Sequence, residues 1–170
     1  MENPRVERRV ANVKVAGGVM AIVNGSKSVR LFTLGSSSRR IPYKGWEIPL
    51  PSAGAQNHVF YPGADVIAFV ELRGETCVYL VVKIVATSSL RCGSDIVVHL
   101  RTLSSGGFHP SARRPTISYS RKGGNAYCIR SVSITSSQLA VLMRVQYGMC
   151  VVIWDWTSSQ VLFVCQSSSA

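Results

Sequence analysis

Val151-Val152-Ile153-Trp154-Asp155-Trp156-Thr157-Ser158-Ser159-Gln160-Val161-Leu162-Phe163 is the stretch whose reading decides the fold. Five apolar or aromatic residues gathered around one acid, a Thr-Ser-Ser turn and a second apolar run predict two short antiparallel strands joined tightly. A strand that is apolar on both faces has to be covered on both. That requirement is informative only if the same frame recurs elsewhere in the chain.

It recurs twice. Aligning on Ile153-Trp154-Asp155-Trp156-Thr157-Ser158 picks out Leu31-Phe32-Thr33-Leu34-Gly35-Ser36 and Leu100-Arg101-Thr102-Leu103-Ser104-Ser105, each an apolar strand end followed by small turn residues. Upstream lie Val19-Met20-Ala21-Ile22-Val23, Val66-Ile67-Ala68-Phe69-Val70 and Gln138-Leu139-Ala140-Val141-Leu142, with the alanine in the same place each time. Eight residues before each alanine stands another apolar position, Val13, Phe60 and Val132, which belongs to a further strand. The repeat unit is therefore strand, turn, strand, loop, strand, turn, strand. The position of Asp155, between two indoles near a strand end, matches the Trp-Asp dipeptide that closes the third strand of a propeller blade.

Spacing tests the repeat. Ala21 to Leu34 covers 13 residues and Ala140 to Trp156 covers 16, both suited to a hairpin, whereas Ala68 to Leu103 covers 35. The middle unit thus carries a surplus of roughly 20 residues, assigned to an insert at 77–95; without it the period is about 50, in the range of propeller blades. Residues 78–85 of the insert, Val-Tyr-Leu-Val-Val-Lys-Ile-Val, have strong strand propensity and predict an added strand whose edge Lys83 guards. Because the flanking repeats join naturally without the insert, a translated intron is the alternative, which the transcript would decide.

The boundaries follow. Residues 1–11 are a flexible lead-in and 12–165 form a single β domain. Its first unit is residues 12–51, its second 57–120 with the insert, and its third 127–165; residues 166–170 are expected to be a disordered tail. No segment shows sustained helical periodicity. The expected fold is all-β: a partial, about three-blade WD-repeat-like propeller of antiparallel four-stranded units.

Composition sets limits on function. The 170 residues, 46% hydrophobic and 16% charged, can build one real core. No apolar run is long enough to span a bilayer and no secretory signal is seen, so the expectation is an intracellular protein, cytoplasmic or nuclear. Five cysteines without a Cys-x-x-Cys pair fit reduced thiols. The formal net charge of +11 is the compositional oddity, and its basic clusters in loops fit either solvated surface or attraction to nucleic acid or an acidic partner. No aromatic residues interleave with the arginines as a base-stacking platform requires.

Catalytic signatures are not seen. His58, His99 and His109 have no carboxylate or second ligand at a diagnostic spacing, and there is no Gly-x-Ser-x-Gly elbow, phosphate loop, His-Glu-x-x-His or dinucleotide fingerprint. The expectation is a non-enzyme with no cofactor and no metal. Trp154, Asp155 and Trp156 are read as structural, the acid as a turn residue accepting backbone hydrogen bonds.

Taken in order, residues 30–36 with 41–50, 61–71, 99–104 with His109-Pro110, and 152–156 resemble the region downstream of the F-box in a large family of F-box proteins from mushroom-forming fungi. The likeness covers most of residues 12 to 165 apart from the insert. It implies a WD-repeat-like propeller used for protein recognition, the substrate-holding part of an adaptor whose F-box docks onto a cullin-type ubiquitin ligase. The sequence shows no leucine- and proline-rich F-box helices, so it is expected to bind a partner without promoting its degradation. Arg39, Arg40, Lys44, Arg113 and Arg114 lie in strand-joining loops and are the candidate partner-binding residues, suited to an acidic protein surface. Nucleic acid binding by a basic β domain is the alternative. With open terminal blades, self-association of the isolated chain is also expected.

Overall fold

A computed structural model of the chain describes residues 13–25, 27–35, 45–55, 57–74, 76–77, 90–91, 93–121, 126–145 and 148–168. Tight turns fold each repeat into an antiparallel meander. In the first unit, β1 (Val13–Ala16) turns into β2 (Val19–Asn24) through Gly17 and Gly18, at φ 51° and 74°. Two successive positive φ values match the right-handed twist of a two-residue hairpin, and glycine adopts them without strain. β3 (Ser28–Thr33) and β4 (Gly45–Pro49) complete the unit, and Pro49 ends the edge strand β4.

The second unit contains β5 (Asn57–Tyr61), β6 (Val66–Arg73), the short pair β7 (Thr76–Cys77) and β8 (Leu90–Arg91), then β9 (Asp95–Thr102) and β10 (Thr116–Ser120). The third is β11 (Ala126–Ile134), β12 (Gln138–Val145), β13 (Gly148–Asp155) and β14 (Gln160–Ser168). Hydrogen bonding gives three four-stranded antiparallel sheets, β1-β2-β3-β4, β5-β6-β9-β10 and β11-β12-β13-β14, with β7-β8 as a separate two-stranded ladder. The chain is all-β and propeller-like, and its ring of sheets is not closed.

The register matches the repeat in the sequence. Ala21 faces Leu31, Ala68 faces Leu100 and Ala140 faces Ile153 across the same pair of strands in each unit. Phe60 is displaced from the expected equivalence by two residues. It pairs with Ile67, one residue before the alanine, whereas Val13 and Val132 pair with Ile22 and Val141, one residue after it. The cause is the β5–β6 connection, a turn of 3-10 helix at Pro62–Ala64 closed by Asp65 at φ 51°.

Alternation of side chains across each strand builds two cores. One face of the first sheet, with Val19, Ala21, Val29, Leu31 and Ile48, packs on Phe60, Ile67 and Phe69 of the middle sheet. The middle sheet's other face, with Val66, Ala68, Val70, Val98, Leu100 and Ile117, packs on Leu139, Val141, Met143, Val152, Trp154 and Trp156 of the third. Six consecutive residues of β6 are accordingly buried. The inner strands β1, β5 and β11 meet around a pocket of about 490 Å³ lined by Lys14, Phe60, Arg130 and their neighbours.

One sequence expectation changes and another falls outside the described residues. The insert begins as the β7–β8 ladder beyond the β6–β9 pairing, which ends at Arg73 opposite Asp95; the strand expected over residues 78–85 lies outside the described residues. The chain was expected to leave the sheet at Cys165 for a disordered tail at 166–170, but β14 continues to Ser168, pairing Ser167 with Met149 and Ser168 with Gly148. A ladder needs backbone groups and not apolar side chains, so the polar Gln166-Ser167-Ser168 run still pairs. Gly148, at φ 126°, lets the strands approach: a Cβ there would lie 2.0 Å from the Ser167 carbonyl oxygen. The lead-in at residues 1–11 lies outside the described residues.

Candidate interaction surface

The connection between β9 and β10, residues 103–115, is the segment that ties all three sheets together. Gly106, at φ 73°, donates its N–H to the Thr102 carbonyl at 2.8 Å, and Thr102 donates to the Gly107 carbonyl at 2.9 Å, which closes a tight turn. The Leu103 N–H bonds the Asp65 carbonyl at 2.7 Å, while the Asp65 carboxylate accepts from the Ser104 N–H at 2.8 Å and its hydroxyl at 2.7 Å. On the first sheet's side, the Trp46 indole N–H bonds the Leu103 carbonyl at 2.7 Å. On the third sheet's side, the Arg113 N–H bonds the Thr157 carbonyl at 2.9 Å.

His109 anchors the middle of this loop. It is buried, its Nε2 lies 2.8 Å from the Ala64 carbonyl oxygen, and its Nδ1 lies 3.2 Å from the Ser111 N–H. A carbonyl only accepts and an amide N–H only donates, so both bonds are met by the neutral tautomer carrying its proton on Nε2. The ring also stands edge-on to Trp156 at a centroid distance of 5.0 Å and 87°. Trp156 is held in turn by Nε1–H to the Thr135 carbonyl at 3.1 Å.

Asp155 behaves as expected from the sequence. Its Oδ1 accepts from the Thr157 hydroxyl at 2.6 Å, the Thr157 N–H at 2.9 Å and the Ser158 N–H at 3.2 Å, which fixes the turn onto which the loop docks. The Thr157 hydroxyl, more than the other donors, holds this carboxyl below the usual carboxylate range.

A loop so pinned presents its outward side chains rigidly. Arg113 and Arg114 are exposed, and among the described residues neither has a carboxylate partner. Phe108 is 70% exposed, and the Arg101 guanidinium lies 4.7 Å from its ring centroid. Arg39, Arg40 and Lys44, in the equivalent connection between β3 and β4, lie outside the described residues. The Phe108–Arg101 pair was not foreseen: Arg101 reads as a strand residue, and the only sign of Phe108 is an aromatic beside Gly106-Gly107 in a polar loop.

A second constellation also escaped sequence reading. Glu71, buried in β6, accepts from Arg73 Nε at 2.7 Å, from His99 Nε2 at 3.0 Å and from the Ser52 hydroxyl, and the Thr116 hydroxyl lies 3.4 Å from His99 Nδ1. Burial alone would raise the Glu71 pKa; the bonds from Ser52, His99 and Arg73 outweigh it and hold the carboxyl below its usual range. Three partners on one buried acid, with Thr116 behind His99, tie β6 to β9 and to the Ser52 turn. Among the described residues, no three His, Cys, Asp or Glu side chains gather to hold a metal ion, and no helix is long and apolar enough to cross a membrane.

Comparisons with protein-family models, with curated proteins and with solved structures find no match to this chain.

Proposed function

We propose that this chain is a non-catalytic protein-interaction module, like the substrate-recognition part of F-box ubiquitin-ligase adaptors, and that it takes its partner on the β9–β10 loop. The observation that carries this reading is the loop itself: bonds to all three sheets make it rigid, yet it leaves Phe108, Arg113 and Arg114 exposed. Preorganised aromatic and arginine side chains are what protein interfaces use as anchors, because little conformational entropy is lost when they are buried. The net charge of +11 favours an acidic partner surface. Recruitment of a ubiquitin ligase rests on the sequence resemblance alone.

The test is affinity co-purification with the wild type and with Phe108→Ala/Arg113→Ser/Arg114→Ser, with bound proteins identified by mass spectrometry. A protein with an acidic surface that is retained by the wild type and lost by the triple variant is the expected result; equal recovery removes the loop from the interface. The same net charge also fits nucleic acid binding, and salt separates the two. Phosphate contacts release counterions, so nucleic acid binding would fall about 10³-fold or more between 50 and 200 mM salt, a steeper loss than a protein interface built on Phe108 would show.

A further inference from the structure

The two cores show how one sheet seats on the next, and the same register identifies equivalent positions on the faces left open. On the face that each sheet offers to its successor, Leu31 and Leu100 are fully buried and Ile153, which pairs with the third alanine as they pair with theirs, is only half-buried. Val29 and Val98 are likewise buried, and Val151 is half-buried. Ile48 and Ile117, on the outer strands, are 1% and 4% exposed, whereas their counterpart Cys165 is exposed and its neighbour on that face, Phe163, is 51% exposed. Among the described residues, the third sheet thus carries the successor-facing side chains without a successor.

The first sheet lacks a predecessor in the same sense. On the opposite face, Phe60 and Ile134 are 5% and 8% exposed in the middle and third sheets, and the equivalent Val15 is 60% exposed. Ile67 and Leu139 are fully buried and the equivalent Met20 is half-buried; Phe69 and Val141 are buried and Ile22 is half-buried. One open face is therefore the left half, and the other the right half, of an interface the molecule already builds twice.

We propose that a second copy of this chain covers both faces at once, the third sheet of each copy seating on the first sheet of the other to close a six-sheet ring. Within one chain the two halves lie at opposite ends of a three-sheet stack and cannot meet. A second copy supplies each half with its complement. Three sheets from each copy make a ring size within the four to eight blades that propellers use, and two-fold closure leaves no apolar face open. This arrangement is independent of the loop proposed above to bind a partner.

The test uses the full chain in analytical ultracentrifugation over a dilution series, with Val15→Glu on one face and Phe163→Glu on the other. Both positions are half or more exposed in the single chain, so neither substitution strains it; circular dichroism checks that each variant retains its strands. The wild type should sediment at twice its 18.5 kDa, each variant alone as a monomer, and an equimolar mixture should regain the dimer, because one undamaged interface remains between unlike variants. A mixture that stays monomeric means like faces meet and overturns the ring, as do variants that remain dimeric or a mass that keeps growing with concentration. Thiol labelling of the wild type gives a readout free of substitutions. Modification of Cys165 should slow about tenfold or more from dilute to concentrated protein, since only the dissociated fraction reacts. A monomer with Cys165 already protected would show that the same polypeptide covers the face, and that also overturns the proposal.

Discussion

Leu100 in the middle sheet and Ile153 in the third hold the same place in the repeat, yet one is fully buried and the other half-buried. The strands are not the cause, for both are apolar and both pair with an alanine. Burial here is a property of the stack: a sheet's interior is made by the sheets beside it, much as in repeat proteins whose stability sums unit and neighbour terms. Among the described residues, the middle sheet has two neighbours and each outer sheet has one.

The largest expected effect breaks that comparison directly. Leu100→Ala removes side-chain contacts on a fully covered face and should cost roughly 2–5 kcal/mol in urea unfolding, with the cavity adding to the lost transfer energy. Ile153→Ala, measured at a dilution where the chain is monomeric, should cost about half as much or less because part of its side chain already faces water. Equal costs would mean that the third sheet's outer face is covered even in the monomer.

Polar residues sharpen the contrast. At the repeat position held by His99 in the middle sheet, the first sheet has the exposed Arg30 and the third has the buried Val152. Among the described residues, the middle sheet alone braces its interior with a carboxylate. Glu71→Gln keeps the shape but weakens the charge-assisted bonds to Arg73 and His99, and should cost about 1–3 kcal/mol.

The same acid sets a pH dependence. Glu71 and Asp155 both titrate below their ordinary range in the folded chain, so the unfolded chain takes up their protons first as pH falls. Their stabilisation is complete above the unfolded value, about 4 for such carboxyls, and is lost as pH drops through the folded values. Denaturation midpoints should therefore decline below about pH 4, and Glu71→Gln should flatten that decline. An unchanged slope in the variant would place the acid sensitivity elsewhere.

The repeat was legible because the alanines and apolar strand ends are short-range signals that survive in a single sequence. The displacement of Phe60 was not, since the 3-10 turn at Pro62–Ala64 changes the count without changing the face. The Glu71–His99 pair stayed hidden because its members are 28 residues apart, on either side of the insert. The site was legible only as far as loop chemistry goes: Arg113 and Arg114 stood out by charge, while the rigidity of their loop depends on His109, Trp46 and Trp156, whose contacts only the fold brings together. The continuation of β14 was masked by its polar residues, which pair through the backbone.

The smallest expected effect concerns the β6–β9 connection, which is longer than its counterparts in the neighbouring sheets. In the first and third sheets the second strand turns almost directly into the third, whereas β6 and β9 are joined through the β7–β8 ladder and residues 78–89. The ladder begins beyond the last β6–β9 pair. Gly93 sits at its base, where a Cβ would lie 2.1 Å from the Arg73 carbonyl oxygen, so the chain there is already committed to closing the β6–β9 pairing. Replacing residues 78–89 by Asn-Gly keeps the residues of the β6–β9 pairing and of the β7–β8 ladder and should leave stability within about 0.5 kcal/mol, since shortening a connection changes closure entropy only slowly. Urea unfolding of the shortened chain is the measurement. A loss of several kcal/mol would show that the insert is part of the middle sheet's packing and would make its length a structural requirement.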